Sequence, residues 1–431
     1  MSLRPSSATT QLTGAAGVIT VGIAVTILRE PALPVHVKAL FIAAAAAVVM
    51  IIIETALFRT HCNPSTGLTS SPNRPFSLER TIRKVTGLYA TFSVIAAGYW
   101  FFPVYRRPVF DNFWPAIELV MPCVILAAPI YIAFIDRRLR EPEDTYAAIG
   151  SFILHGKVPS DMGQIGQHAL GWAVKAFFLP LMFAYMCGSL NAFLTGLQQD
   201  ELGRLALHRL IVTFFFLLDV SFAVAGYSLT LRILDTHVRS AEPTAFGWFV
   251  CLLCYDPFVV VMNAYFSRDV LDNNWFALLA AWPALQIFWS AAILICLFIY
   301  VWSTVSFGLR FSNLTHRGII TSGPYRFVKH PAYITKNLAW WLVSLPFFNE
   351  AGLAEGLRNS LMLLCINGVY LLRAWTEERH LARDPTYRAY QDYIHEHGLW
   401  AQVIRSAAPI GAALASPLRA TGARSDDQSD R

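Results

Sequence analysis

The sequence predicts an all-α fold, a polytopic transmembrane helix bundle of about ten spans. Three observations carry this. The 431 residues are 55% hydrophobic and only 14% charged, whereas about a quarter of a soluble chain is charged. Apolar runs long enough to cross a bilayer recur between short polar loops. Finally, Lys and Arg are distributed unequally between alternate loops.

In chain order the expected spans are 12–28, 39–58, 85–104, 114–135, 169–194, 210–229, 246–266, 275–302, 333–348 and 356–375. The ninth is short, since about 16 residues at 1.5 Å each give about 24 Å against a hydrocarbon thickness of about 30 Å. With the amino terminus inside, the inner segments hold about three times as many Lys and Arg as the outer loops, which places both termini in the cytoplasm. The first span is read as retained, because the preceding residues carry a single positive charge and no clear small-residue cleavage site follows. The formal charge of +6 is mostly this orientation signal and points to no nucleic-acid partner. Most of the seven cysteines lie inside spans. Cys251 and Cys254 have redox-motif spacing but stand in an apolar helix, so no metal site is read from them.

The longest excursions between spans are 59–84 and 136–168. In the second, Tyr146, Ile149, Phe152 and Ile153 recur at helical spacing and predict a short amphipathic helix. Glu54, Glu118, Lys175, Asp219 and Asp256 fall within spans, where ionisable groups are costly and mark a pathway, a site or a pairing between helices. Asp219 and Asp256 sit in the middle of apolar runs, and Pro257 should kink the helix beside Asp256. The chain divides into an amino-terminal helical region of unread role, 1–270, a chemistry-bearing membrane domain, 271–406, and a polar tail, 407–431, expected to be disordered.

The chemistry gathers in two polar islands, 310–337 and 373–393. In the first, Gly318, Gly323, Pro324 and Pro331 shape the backbone and Arg326, Lys329 and His330 stand among aromatic residues. Irregular backbone beside a membrane persists where it is buried in protein or lines a cavity. Pro331 suits the first position of a helix, and this puts His330 at a helix mouth that favours an anionic group. In the second island Glu377 and Glu378 are about 100° apart on a helix, so one can face a ligand while the other meets a basic partner such as Arg373 or Arg326. Asp384–Pro385 starts a further helix on which Tyr387, Tyr390 and Ile394 share a face, either as a lid over the site or as a bilayer contact.

The run GPYRFVKHPAY, followed by adjacent acids, Leu381, Tyr387 and Tyr390, resembles the carboxy-terminal region of the isoprenylcysteine carboxyl methyltransferases and related phospholipid methyltransferases. Two positions depart from that pattern: Lys329 stands for the arginine before His-Pro, and Thr335 for a glycine. The resemblance implies an integral-membrane enzyme that uses S-adenosylmethionine in a cytoplasm-facing pocket and methylates a lipid or lipid-linked acceptor, with no metal. It places Glu378, His330, Pro331 and Tyr333 at the cofactor; Gly323, Tyr325 and Tyr387 are expected beside them, and Arg326, Glu377 and Arg383 are expected at the chemistry. Carboxylates suit such a cofactor, because they accept hydrogen bonds from its ammonium and ribose hydroxyls. An arginine among Arg326, Arg379 and Arg383 could clamp a carboxylate acceptor; an amine acceptor would need a base such as His330 or Glu377. The alternative is an NADPH-dependent membrane sterol or polyprenoid reductase, since such enzymes also lead an aromatic run into His-Pro-x-Tyr.

Overall fold

The computed structural model describes residues 3–30, 32–72, 74–199, 203–260, 274–348 and 352–405. These are mostly helical: α1 (Gln11–Ile27), α2 (Val35–Ile52), α3 (Leu78–Phe101), α4 (Phe113–Asp136), α5 (Thr145–His155), α6 (Met162–Gly196), α7 (Arg204–Ser228), α8 (Ala245–Leu252), α9 (Asn274–Leu278), α10 (Pro283–Val305), α11 (Pro331–Ser344), α12 (Leu353–Leu381) and α13 (Pro385–His397). Side-chain oxygens of Thr10, Ser77, Asp144, Asp161, Thr244 and Asp384 cap the amino ends of α1, α3, α5, α6, α8 and α13. Pro331 opens α11, and Leu345 closes it with φ 42° just before Pro346.

Among the described residues five helices are long and apolar enough to cross a membrane: α2 with its continuation to Leu57, α4, α6, α7 and α10. They overlap the expected spans at 39–58, 114–135, 169–194, 210–229 and 275–302, the last broken between α9 and α10 at residues 279–282. The spans expected at 12–28, 85–104, 333–348 and 356–375 are helical too, but α1 and α11 are short, and α3 and α12 bring several charges into their length. The seventh, 246–266, is not one continuous helix: α8 ends at Leu252 and a turn leads to Pro257, while the part beyond residue 260, the boundary at 270 and the tail lie outside the described residues.

The main core lies between α2, α6 and α7, where Ile42, Met50, Phe178, Leu181, Met186, Leu217 and Phe222 are fully buried. At the edge, α4 turns Leu119, Leu126 and Ile130 outward, an apolar face suited to lipid. The two halves of the chain are stitched together. Ser240–Ala241 (β1) pairs antiparallel with Thr315–His316 (β2), and Ala8 N–H donates to the Ile319 carbonyl at 2.9 Å. Glu54 meets Arg310 at 3.2 Å with both side chains out of solvent. The other intramembrane charges are also placed: Asp256 pairs with Arg107 at 2.5 Å, Asp219 accepts from Tyr300 at 2.7 Å, Lys175 donates to Thr230 at 2.9 Å, and Glu118 is exposed on α4.

Candidate functional site

The loop from Arg310 to His330 is an irregular wall held by buried polar contacts. Arg317 spends its guanidinium on the backbone carbonyls of Gly226, Leu229, Thr236, Leu309 and Phe311, at 2.6 to 3.2 Å, so it fixes the loop to the end of α7. Gly323 has φ 61°, and a Cβ there would lie 2.6 Å from Ser306 Oγ, so the GPYR turn needs glycine on both counts. The turn buries Tyr325 against Phe307, ring centroids 5.4 Å apart, and offers the Tyr325 carbonyl to the Tyr390 hydroxyl at 2.6 Å.

Beyond the turn, His330 caps no amide with its side chain. Its Nε2 lies 2.9 Å from Glu378, which also accepts from Lys329 Nζ at 2.6 Å and from Gln391 at 3.3 Å. Burial would raise the Glu378 carboxyl, but the hydrogen bonds from His330 and Lys329 outweigh it and hold the group at about 2. One helical turn along, Tyr333 donates to Glu377 at 2.8 Å and stacks on His330, rings 5° apart in plane and centroids 5.4 Å apart. The two glutamates thus diverge as their spacing predicts: Glu378 ties the His-Pro corner to α12, and Glu377 faces a hollow.

That hollow is a cleft of about 1080 Å³, much of it open to solvent, around an inner cavity of about 130 Å³. Tyr325, His330, Tyr333, Glu377 and Tyr387 all line it. Tyr387 and Tyr390 are buried under Ile319, Ile320 and Tyr325, so α13 closes over the loop. Gly323 and Pro331 shape the backbone, and Glu378 stands behind His330. Arg326 and Arg383 are exposed and outside the hollow, Arg326 lying against Phe327, and Arg379 is engaged by Thr244 at 2.7 Å.

Three other arginines line the hollow, Arg310, Arg317 and Arg373, and of these Arg373 stands nearest the two glutamates in sequence. It bonds Asn313 Oδ1 at 2.5 Å and lies over the rings of Tyr333 and Tyr255, while Asn313 itself donates to the Tyr227 hydroxyl at 2.8 and 2.9 Å. Lys336, which also lines the hollow, lies outside the residues singled out from the sequence, where Arg373 is named only as a basic partner for a glutamate. Both stand within expected spans, so the cost of an intramembrane charge was the signal that could have found them. Of the buried groups on residues lining the hollow, His316 Nε2 lies 3.4 Å from Asp384 and Arg310 Nη2 3.8 Å from Asp235, while Arg310 Nε has no hydrogen-bond partner among the described residues.

Residues 284–383 match the isoprenylcysteine carboxyl methyltransferase (ICMT) family. The matched stretch contains the loop, the His-Pro corner, both glutamates and Arg373. No curated protein and no solved structure matches the chain. With five helices fit to cross a bilayer, the family region sits in an integral membrane protein, and the match supports a methyltransferase.

Proposed function

We propose that the protein transfers a methyl group from S-adenosylmethionine to a lipid or lipid-linked acceptor resembling a prenylcysteine carboxylate. The observation that carries this reading is the His330–Glu378 bond at 2.9 Å beside a hollow faced by Glu377 and Tyr333. The residues present suit the cofactor. A zwitterionic, cationic-sulfur ligand with a planar base needs an acid, a base and aromatic faces, and the hollow offers Glu377, His330 and a group of tyrosines.

In this reading Lys329, His330 and Gln391 fix Glu378, and through it the angle between α11 and α12. Tyr333 aims the Glu377 carboxylate into the hollow, where it offsets positive charge. Tyr387 and Tyr390 lower α13 over the site and exclude water. When bound, S-adenosylmethionine supplies a methyl group activated for in-line displacement. Positioning then accounts for most of the catalysis, and a carboxylate acceptor asks no side chain to remove a proton. Residues 271–406 carry the site on the cytoplasmic side, and 1–270 furnish its supporting wall. The matched family is a methyltransferase family, and no observation favours the reductase reading.

Calorimetric titration of the purified protein in detergent with S-adenosylhomocysteine and, separately, with NADPH tests the proposal. Binding of the first alone is expected; binding of NADPH alone would overturn it.

A further inference from the structure

The lining of the hollow holds an arrangement that the methyl-donor reading does not use. Lys336 Nζ stands 5.2 Å from the ring centroid of Tyr300, 5.4 Å from Trp340 and 5.8 Å from Tyr370. All three lie within the reach of a cation–π contact, and an aromatic cage of this kind is how proteins recognise quaternary ammonium groups. Here the cage is filled by the chain's own ammonium. Among the described residues that ammonium has no hydrogen-bond partner, while Lys336, Tyr300 and Tyr370 all line the hollow.

The nearby acids are committed elsewhere. Asp219, close enough to interact electrostatically with Lys336, accepts from Tyr300 on one oxygen at 2.7 Å and from Thr304 on the other at 2.5 Å. Arg373 adds a second cation to the same wall. A ligand group on this wall therefore meets two cations, one of them without a hydrogen-bond partner, while the carboxylates of Asp219 and Glu377 already hold hydroxyl donors. In a low-dielectric cavity like charges repel strongly and an oxyanion is drawn in.

We infer that Lys336 is a specificity-determining residue: it plugs an aromatic cage at the acceptor end of the hollow, bars amine and ammonium acceptors, and admits those with a single negative charge. This rests on the proposed acceptor site, and it decides between the two acceptor chemistries that the sequence leaves open. Removing the plug should leave an empty cage of three rings suited to the opposite charge.

The test compares the full chain in a nonionic detergent with Lys336→Met and Lys336→Arg. Binding of undecanoate and of decyltrimethylammonium is measured by calorimetry after subtraction of protein-free detergent, and S-adenosylhomocysteine is titrated in parallel. The unaltered protein should prefer the carboxylate by about tenfold or more, Lys336→Arg should keep that preference, and Lys336→Met should lose or reverse it, with S-adenosylhomocysteine affinity within about threefold in all three. A preference for the ammonium in the unaltered protein, or the same carboxylate preference in Lys336→Met, overturns the inference. A charge preference that follows Lys336 while S-adenosylhomocysteine fails to bind overturns the methyl-donor reading instead and leaves the acceptor subsite standing.

Discussion

Replacing Glu378 by Gln tests the corner on which the proposed site hangs. The carboxylate accepts from Lys329 at 2.6 Å and faces His330 Nε2 at 2.9 Å, with 32%, 16% and 24% of the Lys329, His330 and Glu378 side chains exposed. A hydrogen bond to a charged group contributes about 1.5–3 kcal/mol. Partial exposure lowers that figure, and Gln keeps one neutral acceptor oxygen, so a net loss of about 1.4 kcal/mol is the reasonable expectation, or about tenfold in affinity. The loss should appear in S-adenosylhomocysteine binding measured by calorimetry, because a freed His330 no longer holds its ring against Tyr333. His330→Ala should give a loss at least as large. If Glu378→Gln binds S-adenosylhomocysteine within about twofold of the unaltered protein while unfolding at the same temperature, the corner is scaffolding and the argument for its role fails.

Two other expectations concern stability. Glu54→Ala strands the Arg310 guanidinium in a buried site, at a cost of about 3–5 kcal/mol, whereas Glu54→Met combined with Arg310→Met should cost less than the single change; detergent unfolding of the set checks the coupling. Burial, opposed by Asp384, drives His316 down to about 4, and burial with Arg232 drives His237 to about 4. These folded values lie below the ordinary 6.5, so the unfolded chain takes up protons first. Their contribution is complete above pH 6.5 and is lost as pH falls from 6.5 to 4. The Glu378 contribution is complete above 4.5 and is lost only as pH falls from 4.5 toward 2. A melting temperature that is level above pH 6.5 and declines below it agrees with this; one that rises between pH 6.5 and 5 does not.

The helices were legible because composition and period suffice to identify them: the apolar runs give α2, α4, α6, α7 and α10, and Asp384–Pro385 starts α13 where capping chemistry requires. Glu377 and Glu378 diverge because adjacent residues on a helix must. Arg373 and Asn313 were another matter. Their partners, Tyr227 and Tyr255, come from more than fifty residues away, and no local pattern announces such a meeting. The same holds for Glu54 with Arg310. Arg326 reads like a ligand in GPYR, yet the turn that buries Tyr325 directs the next side chain outward.

The two-residue ladder between Ser240–Ala241 and Thr315–His316 has a bearing on how the protein is made. Residues 240 and 241 leave the ribosome well before 315 and 316, so the later loop settles onto an edge already in place. It follows that a fragment trimmed to the family-matched stretch would be born without its template, and that co-expressing the missing first half as a separate polypeptide is the way to restore it.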